Sequence, residues 1–189
     1  MGHRQLGGEQ LAVSRLGLSG RVRVREYDVS DIKSSHEDWG SLSGAARLRR
    51  LAAVTPRSEH TTTNVVLNEY LEHLVDVADP GQPDAAQAIT HFAVGTDGTD
   101  PQSTDGGLLS EVFRGELDTE ADQGTDFAAA GILDQNEANG NTLREVALTT
   151  GPTSDSEAFT VNRALISATD KTQQKIVTID FTLQYRDGG

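Results

Sequence analysis

The spacing of apolar residues changes along the chain. Over residues 64–78 they recur every three or four positions, whereas beyond residue 88 they alternate with polar residues at every second position. The first period is typical of an amphipathic helix and the second of strands with one buried face. We therefore predict a helix within residues 63–80, capped by Thr63 or Asn64 and ended by the prolines and glycine of 79–83. Its apolar stripe consists of Leu67, Tyr70, Leu71, Leu74 and Val75.

Stretches with period two predict strands after this helix. The stretch at 176–185 alternates without a break, and Asn139-Gly140 stands between two others. An Asn-Gly pair predicts a tight turn, because both residues tolerate positive φ. Short strands separated by turn-forming linkers are typical of an antiparallel β-sandwich, which we place at 84–189. The remaining predicted strands span 89–94, 109–114, 125–133, 143–148 and 158–167.

Residues 1–62 have no sustained pattern. Residues 21–29 alternate as a half-buried strand does, and 42–54 predict a short helix that is capped by Ser41 or Ser43 and ended by Pro56. We interpret this region as a docking arm. The predicted fold class is therefore mainly β: an antiparallel β-sandwich preceded by one amphipathic helix and an extended N-terminal arm.

The composition indicates a protein that works in concentrated salt. The 189 residues include 29 Asp and Glu against 16 Lys and Arg, a net charge of -13, and only three of the basic residues are lysines. Carboxylates hold water and hydrated cations at a surface, although an ordinary acidic protein is the alternative interpretation. At 1 M salt the Debye length is about 3 Å, so such a surface still permits subunits to assemble. A net negative chain is a poor partner for nucleic acid.

Three kinds of feature that the sequence lacks narrow the possible functions. Without cysteine it has no disulfide or thiolate chemistry. The sequence has no signal-peptide pattern, and it has no apolar stretch of the roughly 20 residues that a membrane span needs. We therefore expect a soluble product that is released inside the cell. No nucleophile elbow or phosphate-binding loop is present either. We therefore expect neither an enzyme nor a cofactor.

The positive charge lies near the N-terminus, and this suggests docking. Residues 1–60 carry 10 basic and 7 acidic residues, a balance of +3, whereas residues 61–189 carry 6 and 22, a balance of -16. We predict that the arginines dock on an acidic partner or on the next subunit, the alternative being ion pairs within the chain. The apolar helix residues Leu67, Tyr70, Leu71 and Leu74 are the candidate oligomer interface. The candidate docking residues are Arg21, Arg23, Arg25, Trp39, Arg47, Arg49 and Arg50.

One loop is a candidate cation site. Asp97, Asp100 and Asp105 lie in a glycine-containing loop, and carboxylate oxygens are the ligands that Ca²⁺ prefers. Loose counter-ions are the alternative. His73 lies beside several carboxylates, and a metal-binding or acid–base role is one interpretation of this position. A solvated helix face is the favoured interpretation.

The order of these motifs resembles a known family. A helix, the run from Ile89 to Thr99, an Asp/Thr loop into Leu108–Arg114, the turn at Asn139-Gly140 and a closing strand at 176–185 follow one another. This order resembles the small β-sandwich subunits of tailed-phage virions, called tail-fibre-like or minor structural proteins, over residues 64–186. With the acidic composition, it resembles a version from a tailed virus of halophilic archaea.

The resemblance implies a non-catalytic subunit of a virion that is assembled in the host cytoplasm. It implies a symmetric homo-oligomer, with three- or five-fold symmetry, attached to other acidic virion proteins as a capsid turret or decoration or as a tail or baseplate fibre-type subunit. The alternative function is a carbohydrate-recognition module for host surface glycans. That function requires exposed aromatic residues, and the region near the Asp-rich loops offers Phe113 and Phe127.

Overall fold

The computed structural model describes residues 15–33, 38–78 and 87–188. The first part of the predicted docking arm (1–14) and the predicted helix stop at 79–83 lie outside the described residues. The helices are α1 (Val29–Lys33), a 3-10 helix (Trp39–Ser41), α2 (Gly44–Leu51) and α3 (Asn68–Ala78). The strands are β1 (Arg15–Asp28), β2 (Ser58–Val66), β3 (His91–Gly95), β4 (Glu111–Glu116), β5 (Thr119–Gln123), β6 (Asp126–Leu133), β7 (Thr142–Thr149), β8 (Asn162–Asp170) and β9 (Lys175–Gly188).

All these strands belong to one antiparallel sheet. Their order across the sheet is β4-β3-β7-β8-β2-β1-β9-β6-β5. The longest pairing joins β1 to β9 over the full length of both strands, with Val22 opposite Phe181 and Val24 opposite Ile179. The mainly β, antiparallel class predicted from the sequence is confirmed, and the strands form a single curled sheet.

Two segments connect one half of the curled sheet, β4-β3-β7-β8, to the other half, β1-β9-β6-β5. Strand β2 pairs with β1 over residues 58–64 and with β8 at residues 65 and 66. At the opposite corner, Leu117 and Asp118 join β4 directly to β5, the two strands at the ends of the sheet. The Leu117 N–H donates to Thr90 O, before β3, and the Asp118 N–H donates to Ala130 O on β6. The two ends of the sheet therefore lie side by side.

The main core lies inside this curl. Alternate residues of the strands point inward, as the period of two predicted, and β3 packs across the interior against β6. The contact is so close that a Cβ on Gly131 would lie 2.4 Å from the Phe92 ring. The main core includes Val22, Val24, Phe92, Val94, Val146, Leu148, Ile179 and Phe181. A second, smaller cluster, formed by Tyr27, Ile32, Trp39, Leu51, Ile132 and Ile176, joins α1, the 3-10 helix and α2 to the strands.

From Arg15 onward, the region interpreted as a docking arm is part of the fold. Strand β1 lies between β2 and β9 near the middle of the sheet. Val22 and Val24 of this strand are buried. The arginines at 21, 23 and 25 alternate with these valines and lie on the opposite face of the strand. This corrects the expectation that residues 15–62 extend away from the packed domain, and the charge break near residue 60 marks no structural boundary. The short helix was correctly predicted, and Ser43 caps it by accepting from the Ala46 N–H.

The predicted cap of the amphipathic helix is wrong. Helix α3 begins at Asn68, and Thr63 and Asn64 lie in β2 rather than at a cap. The Asn139-Gly140 pair lies in a turn, as predicted, although the turn joins β6 and β7, which are not neighbours in the sheet. The positive φ angles there belong to Ala138 and Gly140. The strands β2 and β5 were not predicted.

The tight contact between β3 and β6 predicts the effect of one added methyl group. Gly131→Ala should lower the free energy of unfolding by about 1–3 kcal/mol, the usual cost of overpacking a core, because the Phe92 ring that the new methyl group would meet is itself buried in the main core. Denaturant unfolding measures the change. Gly40→Ala is the control, since nothing lies within 4 Å of a Cβ at that position. Equal stability of the two variants would contradict the close packing.

Candidate functional site

The densest group of ionisable side chains is centred on Arg163 of β8. The side chain is 0% exposed, and its guanidinium donates to three carboxylates. Nε lies 2.7 Å from Glu145 Oε2, Nη1 lies 2.8 Å from Asp105 Oδ2, and Nη2 lies 3.2 Å from Asp97 Oδ1. Nη2 also donates to the Thr99 carbonyl at 3.0 Å. We call Arg163, Glu145, Asp97 and Asp105 the Arg163 cluster.

Glu145 is the fully buried carboxylate of this cluster. It lies on β7, next to β8, and is 0% exposed. Its Oε1 accepts from the Ser110 N–H at 2.8 Å and its Oε2 from the Leu109 N–H at 3.2 Å. The absence of a side chain at Gly95 makes room for it, because a Cβ there would lie 2.3 Å from Glu145 Oε1. The carboxylate therefore connects β7, β8 and the segment that precedes β4.

The two aspartates bring their own loop backbone to the cluster. Asp97 Oδ1 accepts from the Thr99 N–H at 2.7 Å, and Asp105 Oδ2 accepts from the Gln102 N–H at 2.9 Å. These backbone N–H groups, followed by Arg163, lower the pKa of both carboxyls. Burial alone would lower the pKa of Arg163, but its hydrogen bonds to Glu145 and Asp105 raise it. These contacts favour the charged forms of Asp97, Asp105 and Arg163.

This arrangement corrects the predicted cation site. Asp97 and Asp105 point at the Arg163 guanidinium, which supplies the positive charge assigned from the sequence to Ca²⁺ or another cation, and Asp100 lies exposed outside the cluster. Across residues 15–33, 38–78 and 87–188, no group of three or more His, Cys, Asp or Glu side chains is placed to hold a metal ion. The sequence analysis missed Glu145 and Arg163. Each is the strand neighbour of a core residue, Val146 or Ala164, and faces away from the main core, where the loop between β3 and β4 covers it.

The cluster has a structural rather than a chemical capacity. Its central guanidinium and Glu145 have no exposed surface, and their polar atoms are occupied by one another and by backbone groups. It fixes the loop between β3 and β4 onto β7 and β8. The same loop holds the start of α3, because the Asn68 N–H donates to Ser103 O. The charged atoms of Arg163 and Glu145 are therefore covered, whereas Asp97 is 31% exposed.

A buried lysine forms a second polar centre. Lys171 is 1% exposed, and its Nζ donates to Asp134 O at 2.8 Å, Asn139 Oδ1 at 3.0 Å and Thr172 O at 3.2 Å. Burial lowers its pKa. The backbone of Lys171 also pairs with residues 140 and 141. These bonds explain the conformation around Asn139: the turn is shaped by Lys171 and not by pairing between the flanking strands.

Most of the candidate docking arginines pair within the chain. Arg23 and Arg25 share Asp180, at 3.3 and 2.7 Å. Arg47 pairs with Asp134 at 3.1 Å, and Arg50 pairs with Asp38. The alternative interpretation, ion pairs within the chain, therefore holds for these four arginines. Arg21 and Arg49 have no ion pair with any residue in the described ranges.

Trp39 also belongs to the fold rather than to a docking surface. Its ring is buried in the smaller core, and its Nε1 donates to Asp134 Oδ1 at 3.4 Å. The Arg47 guanidinium lies over the ring, 5.7 Å from its centre. This contact stacks a cation on an aromatic face inside one chain. The predicted docking residues consequently divide between the outer face of β1 and the surroundings of α2.

The residues of the candidate oligomer interface lie on two different faces of α3. Leu67 and Tyr70 are buried, and Leu74 is partly buried against the main core, so this face of α3 is its inner face. Leu71 is 41% exposed and Val75 69% exposed on the outer face. The Tyr70 hydroxyl lies 2.6 Å from the Tyr185 hydroxyl, and burial raises the pKa of Tyr70 strongly. Only the outer residues are accessible to a partner.

His73 is a packed residue rather than a solvated or metal-binding one. Its ring lies 4.7 Å from the Phe159 ring, centre to centre. Its Nε2 accepts from the Gln87 N–H at 3.3 Å. The ring therefore joins α3 to the segment that precedes β3. This differs from both interpretations offered by the sequence.

Comparison of the chain with protein-family models, with curated proteins and with solved structures finds no match. The resemblance to virion subunits therefore rests on the order of sequence motifs. Among the described residues, no helix has the length and apolar character needed to cross a membrane.

Loss of the central cation should be costly. Arg163→Met should lower the free energy of unfolding by about 3–5 kcal/mol, because Glu145 would stay buried without a cationic partner. Denaturant unfolding at neutral pH measures this loss. Arg144→Gln is a matched control, since Arg144 is exposed on β7 beside Glu145, and it should change stability by less than about 0.5 kcal/mol. A loss in Arg163→Met no larger than in the control would contradict the assigned role.

The lowered pKa values of Asp97 and Asp105 predict acid sensitivity. A carboxyl whose pKa is lower in the folded chain stabilises the fold above its unfolded value of about 3.9. That stabilisation is lost as the pH falls through the folded value. The stability difference between the wild type and Asp97→Asn/Asp105→Asn should therefore be largest at neutral pH and shrink below about pH 4. Unfolding curves at stepped pH measure it, and a difference independent of pH would rule out this linkage.

Proposed function

We propose that this chain is a non-catalytic structural subunit of the particle of a tailed virus of halophilic archaea and acts as a homo-oligomer. The observation that carries the proposal is that the buried ionisable groups make structural contacts. Arg163, Glu145 and Lys171 are buried and bonded to loops and strands, so they hold a shape and leave no accessible reactive group among them. Such a rigid, loop-clamped sheet suits a subunit whose task is to be assembled and displayed.

The distribution of lysines supports the high-salt part of the proposal. Lys171 is buried, and Lys175 pairs with Glu26 at 2.7 Å. Exposed carboxylates, by contrast, lie on β2, α3, β5 and the loop before β8; examples are Glu59, Glu69, Glu72, Glu120, Asp122, Asp155 and Glu157. A surface on which these two lysines are buried or paired while carboxylates face water fits an environment of molar salt, where charge repulsion between subunits is screened within about 3 Å.

The outer face of α3 is the surface that we assign to a second copy of the chain. Leu71 and Val75 are four residues apart and lie on the same side of the helix, where both are exposed. Glu72 and Asp76 lie next to them and would bring like charges together in a symmetric contact. Apolar contact is maintained in concentrated salt while that repulsion is screened. A contact of this type should form in high salt and weaken in low salt.

Light scattering across salt concentration tests this assembly. The wild type should be an oligomer in about 1 M salt and should dissociate near about 0.1 M, where the Debye length rises to about 10 Å. Leu71→Ser/Val75→Ser should be a monomer in both. Leu109→Ser is the control, because it removes an exposed apolar side chain outside α3 and keeps the backbone N–H through which Leu109 bonds to Glu145.

The same samples test attachment to a particle. In a host that produces the virus, the wild type and Leu109→Ser should co-purify with virions, and fractionation into capsid and tail should then locate the subunit. A wild-type protein that is monomeric in about 1 M salt and absent from purified virions would overturn the proposed function.

A further inference from the structure

A groove lies along the free edge of β5. Strand β5 pairs with β6 on one side and is the last strand of the sheet, so its other edge faces the segment that leads into β3. The groove has a volume of about 410 Å³, within the range of small-molecule sites. Its principal lining residues are Tyr70, Ile89, Glu120, Asp122, Phe127 and Tyr185.

One part of the lining is a fixed set of aromatic rings. Tyr70 is buried, and its hydroxyl is hydrogen bonded to that of Tyr185 at 2.6 Å. Phe127 packs partly against the main core and lies directly opposite Asp122 across the strand pair. Because these side chains are held by packing and hydrogen bonds before any ligand arrives, a ligand face that packs on the rings would be met without a large ordering cost.

The other part is acidic. Glu120 and Asp122 are two residues apart on β5, so their side chains point to the same side of the strand. Both are exposed, and neither has an ion pair with a residue of the described ranges. Their oxygens are therefore available as hydrogen-bond acceptors beside the aromatic rings.

We infer that this groove binds a sugar unit of a surface glycan. The C–H face of a pyranose ring packs on an aromatic side chain, and its neighbouring hydroxyls donate to carboxylates, which are strong acceptors. Tyr185 and Phe127 offer the first contact, and Glu120 and Asp122 offer the second. The groove thus combines the two features that recognition of a sugar requires.

An organic cation is the competing ligand class, and salt decides against it. Two carboxylates attract a cation at low ionic strength, but at 1 M the screening length is about 3 Å and inorganic cations compete for the same oxygens. Packing on the rings and hydrogen bonds from hydroxyls persist under those conditions. This choice rests on the proposed function, since it assumes the salt of a halophilic environment, and it gives the displayed subunit a role in host adhesion.

Ligand-detected NMR on the full chain in about 1 M salt tests the inference. The probes are di- and trisaccharides of glucose, mannose, galactose and N-acetylglucosamine, with tetramethylammonium chloride as the cationic probe. At least one sugar should bind saturably to the wild type. Glu120→Ala/Asp122→Ala should bind it at least tenfold more weakly.

The control is Glu59→Ala/Glu157→Ala, which removes two exposed carboxylates outside the groove and should bind as the wild type does. The inference is overturned if no sugar of the panel binds, if the groove variant binds as well as the control, or if tetramethylammonium alone binds. The result is separable from the assembly test. An oligomer that binds no sugar overturns the groove alone, whereas a monomer that binds sugar overturns the proposed assembly alone.

Discussion

The buried pair formed by Arg163 and Glu145 is the interaction on which the arrangement of the loops depends. Moving two charges out of water costs several kcal/mol for each ion, and their attraction offsets this only when the geometry is good and the remaining polar atoms are bonded. Both conditions are met, since the pair is 2.7 Å apart and backbone N–H groups complete the carboxylate. Such a pair adds little net stability compared with a well-packed apolar pair, but it permits only one position for the chain around it. We therefore interpret it as a device for positioning, with Gly95 as the residue that makes space for it.

Charged and polar side chains fix other loops of the fold in the same way. The interior of the curled sheet is apolar, while its loops are held by buried charges: the loop between β3 and β4 by Arg163, and the turn before β7 by Lys171. Asp118 does the same at the corner where the sheet ends meet, accepting from the Ile132 N–H at 2.7 Å. Only 5% of the residues are aromatic, so few large side chains fill the core. Polar contacts therefore fix loop positions that larger side chains would otherwise fix by packing. Two surfaces lie outside this core, namely the exposed residues of α3 and the groove along β5.

The sequence predicted the elements whose faces differ in polarity, and it failed where both faces are polar. The alternation at 176–185 predicted β9 because one side is buried in the main core. Strands β2 and β5 were missed because Thr61 to Thr63 and Glu120 to Asp122 present no apolar period, and their pairing partners alone make them strands. The loop of Asp97 and Asp105 was predicted to hold a metal cation, whereas the positive charge beside these carboxylates is the Arg163 guanidinium. Arg163 lies more than 50 residues further along the chain, and only the pairing of β7 with β8 brings it there. In the same way, the arginines of β1 were assigned to a partner because Asp180 meets them only through the β1–β9 register.

Amide hydrogen exchange in an Arg163→Met/Glu145→Leu variant tests the positional role of the pair most directly. Replacing both charges with apolar groups removes the unpaired-charge penalty, so the double variant should recover most of the global stability that either single change loses. Its amides at Thr99, Leu109 and Ser110, which the Arg163 cluster holds, should nevertheless exchange much faster than in the wild type, while amides in β1 and β9 stay protected. Wild-type protection at Thr99, Leu109 and Ser110 in the folded double variant would contradict the account, because the loop would then keep its position without the ion pair.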